Sequence, residues 1–203
     1  GIEIPRSIQK INNIYFDYIF IGRYDIYVKG LDFLIEGFMN LKSWCKKNKV
    51  RLLLFGITEN EEELFNLKAK ITNCGCDDYI IINGPTFDKE KTKRIHDSAV
   101  FIQTSRHEAQ PMGIIEALSY GLPCIVTHNT SFGEAANQYK FGIGIDFSFL
   151  ELEKAVKKIF NDKDYYIDCK RNAIEYVKNN FEITCVTDKT LALYETIIKG
   201  HQK

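Results

Sequence analysis

Residues 99–127 read AVFIQTSRHEAQPMGIIEALSYGLPCIVT. The opening run, 99–103, is short and has no polar face, the pattern of a strand covered on both sides. A polar segment follows, Thr104-Ser105-Arg106-His107-Glu108. Pro111 then suits the first position of a helix, where its missing N–H is not needed. Ile114, Ile115, Ala117 and Leu118 carry that helix on, Gly121 and Pro123 end it, and Cys124-Ile125-Val126 starts a second buried strand. Strand, helix and strand in this order predict parallel neighbours joined by a right-handed crossover.

The same alternation runs outward in both directions. Tyr18-Ile19-Phe20-Ile21 reads as a buried strand. Leu31, Leu34, Ile35, Phe38, Leu41 and Trp44 then recur at helical spacing. Leu52-Leu53-Leu54-Phe55 is a second strand, closed by Gly56. Thr58 with Glu61 three residues later forms a capping box, so a helix should follow. A third strand is expected at 79–82, then a helix capped by Asp88 and ending near His96. A short sixth strand is expected at 143–145. From about Phe149 the pattern is helical only. One stripe holds Leu152, Val156, Ile159 and Phe160. A second holds Ile174, Tyr176 and Val177, and a third Leu191, Leu193, Tyr194 and Ile197. The expected fold is α/β: a doubly wound, Rossmann-like parallel sheet with extra C-terminal helices. The 203 residues form one domain, with 149–203 as its helical part.

Composition excludes several classes of partner. Lys+Arg and Asp+Glu both number 27, so the formal net charge is zero. Such a balance gives no case for wholesale nucleic-acid or anionic-membrane binding. The six cysteines, Cys45, Cys74, Cys76, Cys124, Cys169 and Cys185, form no C-x-x-C pair and read as reduced thiols. No apolar run is long enough to span a bilayer, and no signal pattern opens the chain. A cytoplasmic location is therefore expected, and the sequon at Asn129 reads as a chance match. Gly1 followed by Pro5 resembles a linker, as in a domain cut from a longer protein.

In a doubly wound sheet, ligands bind beyond the carboxyl ends of the strands, so those loops carry the chemistry. The first strand ends in Gly22-Arg23, with Lys29-Gly30 at the start of the next helix. Two cations at one strand end suit a diphosphate, since Arg forks onto its oxygens and Lys supplies a point charge. The amides of Met112 and Gly113 stand at a helix start, where free N–H groups and the helix dipole attract anions. Gly113 allows close approach to the backbone. Glu108 and Glu116 lie eight positions apart, about 12 Å if the helix were continuous. Glu108 is expected in the loop and Glu116 within the helix, so that they reach different parts of one extended ligand. A carboxylate accepting two hydroxyl hydrogen bonds suits a sugar or a ribose. After the fifth strand, Ser131 and Glu134 form another capping box, and the amides of Thr130 and Ser131 are candidates for a phosphate. Among the histidines, His107 and His128 stand at strand ends, while His96 and His201 do not. Asp162-Lys163-Asp164 has the D-x-D form of some metal sites but falls between two helical stripes, so a solvated turn and no metal are expected.

These motifs together resemble the C-terminal domain of retaining GT-B glycosyltransferases of group 1 (family four). FIGRYDIYVKG is similar to the family's G-R…K-G loop. SRHEAQPMGIIEALSYGLPCIVT is similar to its E-x7-E motif and following G-x-P strand, and NNFEITCVTDKTLALYETII resembles its closing helices. The resemblance spans nearly the whole chain. It implies a nucleotide-sugar donor, UDP- or GDP-linked, and no cofactor. It implies that Arg23 and Lys29 contact the diphosphate and stabilise its departure, and that Glu116 takes the ribose hydroxyls. Glu108 would contact the sugar, with the backbone near Gln110. Gly22, Met112 and Gly113 would line the phosphates, and the base would lie near Asn83. Two departures stand out: Thr130-Ser131 replaces a common Gly-Gly pair, and Gln110 replaces a common aromatic. The acceptor-binding N-terminal half, with its glycan- or lipid-linked acceptor and any membrane contact, is absent from this chain, which alone should bind donor but transfer little. A sugar-nucleotide epimerase of related architecture, and a non-catalytic nucleotide-binding module, are the competing readings. A dinucleotide dehydrogenase is disfavoured, because no G-x-G-x-x-G follows the first strand.

Overall fold

The computed structural model describes residues 1–4, 14–108 and 111–200. It holds six strands: Phe16–Ile21 (β1), Val50–Phe55 (β2), Ile80–Asn83 (β3), Val100–Gln103 (β4), Cys124–Thr127 (β5) and Gly142–Ile145 (β6). The helices are Leu31–Asn40 (α1), Lys42–Asn48 (α2), Glu61–Asn73 (α3), Asp88–Asp97 (α4), Met112–Ser119 (α5), Gly133–Gln138 (α6), Phe149–Asn161 (α7), Lys163–Asn180 (α8) and Ile183–Gly200 (α9). All strand pairs are parallel, in the order β3-β2-β1-β4-β5-β6. The chain therefore winds outward from β1 to β3, then returns to the other side of β1. Neighbouring loops diverge at this β1/β4 switch point and leave a crevice at the carboxyl ends of the two strands.

Period-two alternation distributes the strand side chains between two cores. Tyr18, Phe20, Leu52, Leu54, Ile102 and Ile125 face one, where Leu34 and Phe38 of α1 and Leu152, Val156 and Ile159 of α7 meet them. Ile19, Phe55, Phe101, Cys124 and Val126 face the other, packed by Ile114, Ile115 and Leu118 of α5 and Ala173 and Val177 of α8. The two cores cover both faces of the sheet. No helix among the described residues is long and apolar enough to cross a membrane.

The structure moves several helix ends. The helical run through Trp44 breaks at Leu41, giving α1 and α2. The cap of α3 is Asn60, whose side chain accepts the Glu63 N–H at 3.1 Å. The Thr58 hydroxyl instead accepts the Asn60 N–H and closes the turn before the cap. Asp88 is the first residue of α4 and not its cap. Phe87 holds the cap position, and Asp88 has φ 47°. Likewise α6 begins at Gly133, with Phe132 at its N-cap and no side-chain capping bond, so the Ser131–Glu134 box is not formed. Pro111 stands at the N-cap of α5, one position before the helix proper. The third C-terminal stripe is left about half exposed. Leu191, Leu193, Tyr194 and Ile197 of α9 are 47–59% exposed.

Candidate functional site

The loop after β1 is built to present Lys29. Its Asp25 carboxylate accepts the Val28 N–H at 3.0 Å, and the Asp25 carbonyl accepts the Lys29 N–H at 2.9 Å, a single tight turn. Gly30 ends that turn with φ 63°, and a Cβ there would collide with the Thr104 carbonyl, so only glycine lets the two loops close on each other. Arg106 then locks them together. Its N–H donates to the Val28 carbonyl at 2.8 Å, and its guanidinium donates to the Tyr27 carbonyl and forks onto both Asp32 oxygens at 2.8 Å. The same group lies over the Tyr27 and Phe147 rings. Burial pushes the Asp32 carboxyl up, but the Arg106 hydrogen bonds and nearby amides prevail and hold it below its ordinary value.

This clamp brings the Lys29 ammonium onto the Glu108 carboxylate as a close ion pair, with side chains 18% and 19% exposed. Gln103, at the end of β4, donates to the same oxygen at 3.2 Å. Arg23 is freer: its side chain is 55% exposed and 3.5 Å from Glu59. Beneath these cations lies the start of α5. The first turn bonds through the N–H groups of Ile114 and Ile115 to the Pro111 carbonyl, at 3.0 and 3.4 Å. The Met112 and Gly113 amides precede that turn, where a helix has no internal acceptors for them. Gly113 is packed against the end of β1, since an added Cβ would lie 3.2 Å from the Phe101 ring and 3.5 Å from the Ile21 carbonyl.

Two cavities open here and share Ile21, Gly22, Arg23 and Gly113. The first, about 320 Å³, is lined by Lys29, Gln103, Glu108, Pro111 and Met112 as well. The second, about 470 Å³, extends under Ile57, Pro85, Thr86, Phe87 and Lys91. They form one groove over the helix start, charged at one end and more apolar at the other.

The structure thus gathers Gly22, Arg23, Lys29, Glu108, Met112 and Gly113 as expected. Glu116 stands to one side: its carboxylate pairs closely with Lys91 of α4, and Lys91 is the member that lines the larger cavity. The Asn83 side chain donates to the Leu54 and Ile81 carbonyls at 3.1 and 3.3 Å, and its carbonyl accepts the Tyr24 hydroxyl. It braces the strand end, while residues 85–88 form the cavity wall. Thr130 is buried. It forms a parallel bridge with Glu108, and its hydroxyl donates to the Thr127 carbonyl at 2.9 Å. Ser131 is exposed and lines neither cavity. Gln110 lies outside the described residues. His107 and His128 are both exposed and line neither cavity.

Among the described residues, no group of three His, Cys, Asp or Glu side chains could hold a metal ion. Asp162 of the D-x-D triplet caps α8, accepting the Tyr165 N–H at 3.0 Å and pairing with Lys158. Sequence reading missed Lys91, Gln103 and the Arg106 clamp. Gln103 gave a signal, as a polar side chain closing an apolar strand. Lys91 gave none, being one of several charges on a polar helix.

A single six-stranded parallel sheet with helices on both faces and a charged groove at its switch point is the Rossmann-like architecture of a GT-B glycosyltransferase domain. The description "Glycosyl transferases group 1" matches residues 2–176, and the chain belongs to that family. Mannosylfructose-phosphate synthase of Agrobacterium fabrum is 26% identical over 171 residues, which cover 82% of this chain and 38% of the synthase. The structure is similar to that of Anabaena HepE in complex with UDP and glucose, with a TM-score of 0.76 and 17% identity over 89% of this chain and 48% of HepE. It is also similar to the C-terminal domain of the group 1 protein LpcC from Francisella tularensis, with a TM-score of 0.71 and 20% identity. That match covers 83% of this chain and 87% of the LpcC domain. The chain spans less than half the length of the synthase and of HepE.

Proposed function

We propose that this chain is the donor-binding half of a retaining glycosyltransferase. It would hold a nucleoside-diphosphate sugar while a second half, beyond these residues, presents a hydroxyl acceptor. The observation that carries this reading is the pair of cavities meeting at Gly22-Arg23 over the start of α5. A nucleoside diphosphate sugar can span both: its diphosphate would sit where the cavities meet, its sugar in the charged cavity and its nucleoside in the more apolar one. The diphosphate would lie over the Met112 and Gly113 amides, with Arg23 and Lys29 against its oxygens. Glu108, fixed by Lys29 and Gln103, would accept sugar hydroxyls. The nucleoside would extend into the larger cavity, against Pro85 and Phe87.

In the transfer, the bond from the anomeric carbon to the phosphate oxygen breaks and a bond to the acceptor oxygen forms. The departing diphosphate keeps the bonding electron pair, and the proton of the acceptor hydroxyl passes to a diphosphate oxygen, so that atoms and charge balance. Negative charge grows on the leaving oxygen, where preorganised cations act most strongly. Arg23 and Lys29 supply them, and the loop clamp fixes Lys29 before any ligand enters. No step calls for a metal.

A thermal-shift screen against nucleoside diphosphates and their sugars tests the reading. A ligand that binds only the folded state raises the melting temperature by mass action. At least one nucleoside diphosphate should do so, and no shift with any of them would overturn the proposal.

A further inference from the structure

The wall of the larger cavity carries two polar groups that the donor-site reading leaves unused. Pro85, Thr86, Phe87 and Asp88 run in sequence along it, between β3 and α4. Thr86 is 6% exposed, and its hydroxyl has no hydrogen-bond partner among the described residues. A buried hydroxyl in that state is costly until something completes it. Asp88 has φ 47°, in the left-handed region that few residues other than glycine adopt. Of the two acids in the first turn of α4, Glu90 pairs with Arg94 at 3.0 Å. The Asp88 carboxylate has no hydrogen-bond or ion-pair partner among the described residues. Phe87, between Thr86 and Asp88, is exposed at the cavity.

We infer that Asp88 reads the base and selects guanine, so that the donor is a GDP-linked sugar. This rests on the donor-site reading and deepens it by naming the nucleotide. A carboxylate only accepts, and it does so through two oxygens side by side. Guanine presents N1–H and its exocyclic amino group side by side on one edge, so two charge-assisted bonds can form together. Uracil has a single N–H on that edge, between two carbonyls, and the second carboxylate oxygen would face a carbonyl oxygen. Adenine and cytosine each set a ring acceptor beside the amino group and meet the same repulsion. Such a mismatch rejects the wrong base as well as holding the right one. Guanine also carries O6 next to N1–H, an acceptor for the idle Thr86 hydroxyl, while the Phe87 ring can cover the face of the base.

Titration calorimetry on the 203-residue chain with GDP, IDP, UDP and ADP tests the choice of base. IDP is GDP without the exocyclic amino group. If the chain binds none of the four, the donor-site reading fails and the choice of base fails with it. Given binding, GDP should be the tightest and IDP about tenfold weaker, the low end for losing a hydrogen bond to a charged group. Asp88→Asn should remove that preference, bringing GDP and IDP within about threefold of each other, while UDP loses nothing. Comparing ratios cancels any general effect of the lost charge on the diphosphate. Asparagine tolerates the left-handed backbone as aspartate does, so the melting temperature should stay near that of the wild type. Asp88→Gly, which suits the same φ, replaces it if the asparagine variant does not fold. Wild-type binding of UDP or ADP as tight as that of GDP would overturn the inference while leaving the donor-site reading in place. An unchanged ratio of GDP to IDP affinity in the Asp88 variant would overturn it as well.

Discussion

The two ends of the sheet both carry acid–base pairs, and they are made differently. At the amino end, Arg51 forks onto both oxygens of Asp17 at 2.8 Å, and the Asp17 side chain is 5% exposed. The Tyr15 ring covers the guanidinium. Each partner's charge is satisfied twice over, and the pair holds β1 against β2. At the carboxyl end, Lys29–Glu108 and Lys91–Glu116 each rest on one ammonium, and Arg23 reaches Glu59 only at 3.5 Å. Single-point lysine pairs beside open cavities can exchange partners, whereas a buried fork cannot without stranding a charge. The same kind of contact serves stability at one end and exchangeable binding at the other.

The contrast can be broken from either side. Arg51→Met should cost about 3–5 kcal/mol of stability, because it leaves Asp17 buried and unpaired. Urea unfolding would show it, while nucleotide affinity of the folded protein should not change. Gly30→Ala attacks the other end through its backbone. The left-handed φ and the Thr104 carbonyl leave no room for a methyl group, so stability should fall by about 2–3 kcal/mol. Unlike Arg51→Met, it should also weaken nucleotide binding, because Lys29 is displaced with it. Arg23→Ala should weaken nucleoside-diphosphate binding by about 1.5–3 kcal/mol by calorimetry, with stability within about 0.5 kcal/mol of the wild type. Smallest is Phe87→Ala at the cavity rim. It should cost about 0.5–1.5 kcal/mol in binding a nucleoside diphosphate and nothing in binding pyrophosphate, which has no base to stack.

Much of this was legible in the sequence. Apolar runs without a polar face predicted the parallel strands, and the switch-point rule selected the loops that hold Arg23, Lys29, Glu108, Met112 and Gly113. What escaped was the pairing. Spacing along a chain states which residues can share an element, but Lys91 meets Glu116 across two helices, and Arg106 locks a loop about 75 residues away. Caps slipped for a similar reason: several polar residues precede α3 and α6, and tertiary packing chooses among them. The stripe on α9 shows a further limit. Helical spacing of Leu191, Tyr194 and Ile197 marks a face of like character, not what covers it, and in this chain that face is exposed.

The account's central claim is that the switch-point groove binds a nucleoside diphosphate through Arg23 and Lys29. The most direct test is calorimetric titration of wild type and the Arg23→Ala/Lys29→Ala double variant with the nucleoside diphosphate that shifts melting most. The account predicts wild-type binding that weakens as salt rises and a loss of at least about 100-fold in the double variant. Equal affinity in the two proteins would contradict it.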